Sequence, residues 1–425
     1  MKPVGELQDS LYRAAKADEK KVFYSLKDKI CRTDVLQEAW RKVRENGGAA
    51  GVDGQTIQDV EREGVERFLS GIQRELLTET YWVEPVRRVF IPKPDGRQRP
   101  LGIPTVKDRV VQQAVRLIIE PIFEAGFQEF SYGYRPNKSA KQATREVYRF
   151  LNYGLTGVVD ADVQGFFDHV NHSKLLSFMR ERVADGFVLK LIREWLNAGV
   201  VYLDSIHYPE EGTPQGGVIS PLLANIYLNK LDTQWRARGM DDRYGSDAHM
   251  VRFADDMVIL TSPGNAQHAK AVLSELLVEL DLLLNEEKSR IADATKEGFD
   301  FLGFHFVRRP DEGGKGVTRV FPSKRAVRRF REKVRAILDV NLTHLKEEAT
   351  AVKQLNWLLT GWGNYFNHSN ASEAFRHLQT FVEWKLLKFI STRHKKPYTS
   401  MARLEIQRLY DNLGLRQFPR IQYVR

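Results

Sequence analysis

The segment Val251-Arg-Phe-Ala-Asp255-Asp256-Met-Val-Ile-Leu260 constrains this chain more than any other. Two adjacent carboxylates interrupt what is otherwise apolar strand sequence. The pattern predicts two short strands over 250–261 joined by a turn at Asp255-Asp256. Carboxylates buried in such surroundings are costly unless a cation compensates them. A hard divalent ion such as Mg²⁺ suits oxygen ligands and keeps some of its waters. Taken alone, the segment reads equally as an Asp-Asp hairpin turn facing solvent.

A second acidic strand breaks that tie. Gly157-Val-Val-Asp160-Ala-Asp162-Val-Gln-Gly-Phe166-Phe167-Asp168 again sets carboxylates at the end of an apolar run. Asp160 and Asp162 share one strand face, because side chains alternate with period two. Two such strands side by side would pool three carboxylates. That donor set suits two metal ions about 4 Å apart, one activating an attacking hydroxyl and one steadying a leaving group.

The charge balance agrees. Lys and Arg number 65 against 55 acidic residues in the 425-residue chain, a net charge of +10. Residues 308–335 alone hold eleven Lys or Arg and three acids. Such a surplus favours a polyanionic partner. With 42% hydrophobic and 28% charged residues, a sizeable core is expected and bulk disorder is not. The single cysteine, Cys31, excludes a disulfide framework or a zinc site built on paired cysteines. No apolar run is long enough for a membrane span, and the polar N-terminus is no signal peptide. No membrane partner and a cytoplasmic location are therefore expected.

Helical periodicity marks 33–45, 108–123, 173–183, 188–198, 221–238 and 266–284. The first 30 residues are weakly patterned, and the helix over 108–123 carries Arg109, Gln112, Gln113 and Arg116 on a polar side. A hairpin is expected over 86–103, turning at Pro94-Asp-Gly96. Further strands are expected at 157–163, 200–207 and 299–307. Strands among helices without strict alternation indicate an α+β fold. Beyond about 308 the pattern becomes helical, basic and aromatic.

Together these segments resemble the group II intron-encoded reverse transcriptase (maturase) family over residues 33–390. The resemblance rests on ordered motifs: Gly47-Gly-Ala-Ala-Gly-Val-Asp-Gly54, Ile91-Pro-Lys93-Pro-Asp-Gly-Arg-Gln-Arg99-Pro, and Ser131-Tyr-Gly-Tyr-Arg-Pro136. Asp160-Ala-Asp162, Gly212-Thr-Pro-Gln215-Gly-Gly217 through Asn225, Phe253-Ala-Asp255-Asp256, Asn285-Glu-Glu-Lys288-Ser and Phe301-Leu-Gly-Phe304 follow in order. Leu355-Asn-Trp357-Leu-Leu-Thr-Gly361-Trp362-Gly-Asn-Tyr365-Phe366 resembles the thumb, or X, domain signature. Its aromatic residues are expected to pack between helices.

The resemblance implies a right-hand polymerase: an extension at 1–32, fingers and palm over 33–310, and a helical thumb over 311–425. It implies RNA-directed DNA polymerisation with dNTPs and two Mg²⁺ ions, for which Mn²⁺ can substitute. The partners would be an RNA template, a DNA primer and a parent intron RNA. Asp162, Asp255 and Asp256 match the catalytic, metal-binding carboxylates. Phe167, five residues after Asp162, matches the ring that rejects a 2′-hydroxyl; Phe166 is its rival, and both could be core. Lys93 and Arg99 would clamp the triphosphate, Gln215 would lie beside nucleotide and template, and Lys288 would approach the leaving pyrophosphate. Arg325, Arg328, Arg329 and Arg335 would touch phosphates. His169 and His172 are expected to end a strand and cap a helix, not to bind metal. Phe253 stands where the family usually has tyrosine.

Many relatives add a cysteine-bearing HNH endonuclease, which is not expected here. Two alternatives share the motifs: an RNA-binding splicing cofactor with an idle polymerase, and a domesticated enzyme of DNA repair, phage defence or a CRISPR-associated system.

Overall fold

The computed structural model of the chain describes residues 3–92, 98–202, 205–207, 212, 216–240, 248–339, 347–394 and 403–422. It is a mixed α and β fold. The weakly patterned N-terminus is ordered as helix α1 (Val4–Ala17), which buries Leu7, Leu11 and Ala15. Helices α2 (Lys27–Ile30), α3 (Thr33–Asn46), α4 (Ile57–Glu63) and α5 (Val65–Thr78) follow. Val35, Leu36, Ala39, Trp40 and Val43 give α3 its buried face, and Gly47 ends it in the left-handed region at φ 64°. Strands β1 (Val86–Pro92) and β2 (Gln98–Ile103) form the expected antiparallel hairpin. Helix α6 (Val106–Glu124) packs against α1 and α3. Its polar side is largely buried: Arg109, Gln112 and Gln113 are buried, and Arg109 and Gln112 hold neighbouring loops.

Helix α7 (Ala140–Asn152) precedes β3 (Gly157–Ala161), followed by α8 (His172–Arg180) and α9 (Gly186–Leu196). The strand expected at 200–207 is two, β4 (Val200–Tyr202) and β5 (Ser205–His207), and β4 runs parallel to β1. Helix α10 (Ser220–Ala237) leads to β6 (Ala248–Phe253) and β7 (Asp256–Thr261), then α11 (Ala266–Glu279) and β8 (Arg290–Asp293). Four strands join in the order β6-β7-β3-β8, all antiparallel. Both faces are covered, which is why β7 reads as an unbroken apolar run. Val158, Val251, Val258 and Leu260 share a core with Ala143, Val147 and Leu151 of α7. Val159, Met250, Met257 and Ile259 join the core containing α8, α10 and α11.

The strand expected at 299–307 is folded back at Leu302-Gly303 (φ 50° and 81°) into β9 (Phe299–Phe301) and β10 (Phe304–Pro310). Residues expected to open the helical region form β11 (Gly316–Pro322), antiparallel to β10. Helices begin only at α12 (Lys324–Ile337), whose Ser323 cap accepts from the Ala326 N–H. Then come α13 (Glu348–Phe366), α14 (Ser372–Arg393) and α15 (Arg403–Asp411).

Trp362 and Phe366 pack as expected, touching Phe330, Phe375 and Phe304. Trp357 does not: it is 66% exposed, with the Lys353 ammonium 5.2 Å from its ring centroid. Gly363 is the tightly packed glycine of α13, since a Cβ there would lie 2.3 Å from Pro419. Among the described residues no helix is long and apolar enough to cross a membrane.

Candidate active site

The β6–β7 turn is held from below by a buried polar network. The Arg252 side chain is fully buried and pairs with the fully buried Asp232 of α10. Its Nη1 donates to the Asn225 amide oxygen at 3.2 Å and to the Ala254 carbonyl at 2.9 Å. Ala254 occupies the left-handed region at φ 60°, an uncommon conformation for a residue with a Cβ. The Arg252 hydrogen bond fixes that conformation just before Asp255.

The Ser131–Pro136 motif forms a strap across the same turn. Tyr132 N–H donates to the Arg252 carbonyl at 2.8 Å, and Arg252 N–H donates to Phe130 at 2.9 Å. Asn225 Nδ2 donates to the Gly133 carbonyl at 2.8 Å. A Cβ on Gly133 would meet Ala254 N at 2.3 Å, so this position requires glycine. Arg252, Asp232 and Asn225 were not singled out from sequence. The signal was an arginine inside an apolar strand, which needs a counter-ion.

Strand register brings the second acidic segment alongside. Asp160 pairs with Val258 and Ala161 with Met257, so Asp162 and Asp256 follow directly on the last pair of the ladder, and both line the same cleft. The Asp162 N–H donates to Ser289 Oγ at 3.0 Å, and its Oδ2 lies 3.0 Å from Lys288 Nζ. Asp160 is instead paired with Arg290, 3.2 Å away. Burial raises the Asp255 pKa, and Asp162 adds to the rise. Asp256 is reached by solvent yet sits among protein atoms at the cleft floor. Burial, then repulsion from Asp255, Asp162 and Asp160, pushes it up to about 6 against the pull of Arg99. Among the described residues no three His, Cys, Asp or Glu side chains converge on one point as an ion site. The donors are all oxygen and repel one another, a set whose chemistry fits a hard divalent cation.

Asp160, Asp162 and Asp256 floor a cleft of about 860 Å³, which Asp300 also lines; Asp255, next to Asp256, is not among its lining residues. Arg99, opposite Ile91 in the β1–β2 hairpin, lines one side. Lys93 and Gln215 lie outside the described residues. Phe166 and Phe167 sit in a 3₁₀ turn (Phe166–Asp168) entered through Gly165 at φ 51°. Phe166 is core, 2% exposed; Phe167 is half-buried and edge-on to it at 5.1 Å.

The opposite side of the cleft is α12. Arg325, Arg329 and Lys333, spaced by four residues, line it. Arg328 instead lies 3.7 Å from Glu332, and Arg335 covers the Phe381 ring of α14 at 5.6 Å. Neither lines the cleft, so the expected set of four splits by helical face, and Lys333 joins it.

Helix α6 ties the surrounding loops together. Arg109 donates to the carbonyls of Gly47 (3.2 Å) and Ala49 (2.7 Å), while Arg87 donates twice to Ala50. Gln112 accepts from the Val218 N–H at 2.9 Å and Arg116 donates to its carbonyl at 3.4 Å. At the other end of that loop Gly212 N–H donates to Val170, and His172 Nε2 bonds the Gly212 carbonyl at 2.5 Å. The cap expected of this segment falls on Asn171, whose side chain accepts from the Lys174 N–H; His172 is the first residue of α8 and instead ties it to the Gly212 segment.

A strap-supported Asp-Asp turn beside an acidic strand end is the arrangement of a polymerase-type domain, and comparison with known proteins is specific. Residues 91–306 match the family described as reverse transcriptase (RNA-dependent DNA polymerase), and residues 327–409 the group II intron, maturase-specific domain. Protein YkfC of Escherichia coli (strain K12) is 33% identical over 372 residues, covering 79% of this chain and 96% of that protein. The group II intron-encoded protein LtrA of Lactococcus lactis subsp. cremoris is 34% identical over 235 residues, covering 55% of this chain and 38% of LtrA. A solved structure, a partial Cas6-RT-Cas1–Cas2 complex, aligns at a TM-score of 0.37 and 24% identity, covering 60% of this chain and 41% of that one. The chain belongs to the group II intron reverse transcriptase and maturase family.

Proposed function

We propose that the chain is an RNA-directed DNA polymerase that extends a DNA primer on an RNA template with dNTPs, and that it also binds a parent intron RNA to assist splicing. Residues 33–310 would be fingers and palm and 311–425 the thumb, with 1–32 as an extension; the junction falls in the β10–β11 turn. The observation that carries this reading is that Asp162 and Asp256 share the floor of a cleft otherwise lined by Arg99, Lys288, Arg325, Arg329 and Lys333.

Asp162, Asp255 and Asp256 would hold two Mg²⁺ ions, for which Mn²⁺ can substitute. When bound, the ions would acidify the primer 3′-hydroxyl and neutralise charge on the α-phosphate and leaving group. The protein's own groups do the rest. Arg99 grips triphosphate oxygens bidentately, with Lys93 as a point charge. Phe167 offers a ring edge where a ribose 2′-hydroxyl would sit, and Phe166 backs it. Lys288, freed once Asp162 is otherwise neutralised, reaches the departing pyrophosphate and can give it a proton. The glycines around Gln215 let backbone approach the nucleotide and template. Arg325, Arg329 and Lys333 contact backbone phosphates, which position the duplex while base pairing reads its sequence. The maturase-specific match at 327–409 supports the intron RNA as a second ligand.

Primer extension on a defined RNA with Mg²⁺ tests this directly. Wild type should extend, and Asp255→Ala with Asp256→Ala should not; equal extension by both would refute the assignment. Intron splicing in cells lacking the protein tests the maturase role, which requires that splicing fall.

A further inference from the structure

The Ser131–Pro136 strap carries one residue that the fold does not use. Tyr134 is 55% exposed, whereas Gly133 before it and Arg135 after it are buried. It also stands in the left-handed region, at φ 56°. There the Cβ of an L residue crowds the following carbonyl, a cost that glycine escapes. A bulky ring in that conformation is an outlier, and such outliers cluster at active sites and ligand clamps. Burial does not offset the cost here, because the ring lies largely in solvent. Packing therefore does not account for tyrosine at this position.

Its aim is fixed from both sides. The bonds of Tyr132 to Arg252 and of Gly133 to Asn225 hold the chain before it. After it, the Arg135 guanidinium, 8% exposed, bonds the Glu124 carboxylate at 2.7 Å and the Ser131 carbonyl at 2.7 Å. A side chain on so braced a segment loses little freedom when it meets a ligand.

Its place follows from the sheet. The Tyr134 ring is tilted against that of Phe253, centroids 6.2 Å apart. Phe253 pairs with Asp256, so the two side chains share a sheet face, and Asp256 lines the acidic cleft. One strand spacing and one ring contact put Tyr134 roughly 10 Å from Asp256. In the order β6-β7-β3-β8, Phe253 ends β6, while the chain leaving β3 runs through Asp162 to Phe167. Tyr134 and Phe167 therefore flank the Asp255-Asp256 turn from opposite sides. An incoming nucleotide at Phe167 would be joined to a strand end lying toward Tyr134. Phe253 offers that strand a ring and no hydroxyl; Tyr134 offers both. A nucleotide presents the matching pair, an apolar sugar face beside phosphate oxygens.

We propose that Tyr134 seats the last nucleotide of the primer strand, its ring against the sugar and its hydroxyl on the last internucleotide phosphate. The inference rests on the polymerase reading above, because it takes the strand end to lie at the carboxylates.

Affinity for an RNA template annealed to a DNA primer is read by fluorescence anisotropy, with and without a neutral methylphosphonate at the last primer phosphate. Tyr134→Phe should weaken binding of the native duplex about threefold or more and leave the methylphosphonate duplex within about twofold of wild type. Tyr134→Gly should weaken the native duplex about tenfold or more, as the ring is lost too, with an unchanged or higher thermal midpoint because the strain is relieved. Both losses should be alike at low and high salt, since tyrosine releases no counterion. Binding by Tyr134→Gly within about twofold of wild type would overturn the contact. So would equal losses by Tyr134→Phe on the two duplexes, or a lower thermal midpoint in Tyr134→Gly, which would make the ring a packing residue. A wild type that binds the duplex and incorporates no nucleotide would refute the polymerase reading, whereas the affinity comparison would still decide Tyr134.

Discussion

The ammonium of Lys288 lies 3.0 Å from the Oδ2 of Asp162, so one carboxylate of the acidic cleft has a protein counter-ion while Asp255 and Asp256 repel each other. The pair is solvent-accessible on both sides and contributes little to folding, about 1 kcal/mol at most. Its importance is chemical. Lys288→Ala should slow single-nucleotide incorporation by about 10–100-fold with little change in the thermal midpoint. Rapid-quench kinetics check this, and an unchanged incorporation rate would remove Lys288 from the reaction.

The Arg252–Asp232 pair behaves oppositely, because both side chains are fully buried. Arg252→Met should destabilise the fold by about 3–5 kcal/mol, since it strands Asp232 without a counter-ion. Adding Asp232→Leu should restore most of that in urea unfolding. It should not restore primer extension, because the Ala254 carbonyl still lacks its donor and the Asp255 turn loses its support.

Phe166 and Phe167 separate by their burial. Phe167→Val should raise ribonucleotide use relative to deoxyribonucleotide by about tenfold or more, as a ring that excludes one hydroxyl is lost. Phe166→Val should leave that ratio alone and cost about 1–3 kcal/mol of stability. Competitive incorporation assays distinguish them, and the reverse pattern would make Phe166 the gate.

The two faces of α12 give a charge test. Replacing Arg325, Arg329 and Lys333 with Gln should lower the slope of log affinity against log salt by about 2–3, or 0.7–0.9 per lost phosphate contact. Replacing Arg328 and Arg335 should change it by less than about 0.5. Similar slopes for the two variants would mean that the cleft wall is not where the duplex binds.

Asp108 supplies a pH dependence remote from the chemistry. It accepts from Tyr81, its Oδ2 has no partner, and burial raises it from 3.8 to about 6. The folded state therefore binds this proton more tightly than the unfolded one. The contribution to stability is complete below about pH 4 and is lost as pH rises through 6. Asp108→Asn removes the titration, so its stability relative to wild type should improve by about 2 kcal/mol between pH 4.5 and pH 8. Urea titrations at the two pH values measure that difference.

Much of the site was legible because its motifs are local. The apolar runs around Asp255-Asp256 and the alternation around Asp160 and Asp162 fix strands whose register follows from pairing. Long-range partners were not legible. Nothing near Arg252 in the chain announces that its counter-ion is Asp232, twenty residues earlier on a helix. That the polar stripe of α6 is buried does not show in the sequence until the loops that Arg109 and Gln112 hold are in place. In α1, Leu7, Leu11 and Ala15 repeat every four residues, but six polar and charged residues of the same helix dilute the pattern. The charged run over 308–319 masked β11, where pairing with β10 overrides composition.

Phe304 of β10 stacks into the same apolar cluster as Phe366 of α13, their rings 4.7 Å apart, and Asn370 bonds both the N–H and the carbonyl of Val320. Val158 and Val258 of the sheet that leads to Asp162 lie in the same cluster, so that sheet, the β9–β11 sheet and α13 share one core at this end. If a duplex enters the cleft as proposed, it would meet jaws of set width, as in a gauge, so its girth would be measured before any of its bases is read.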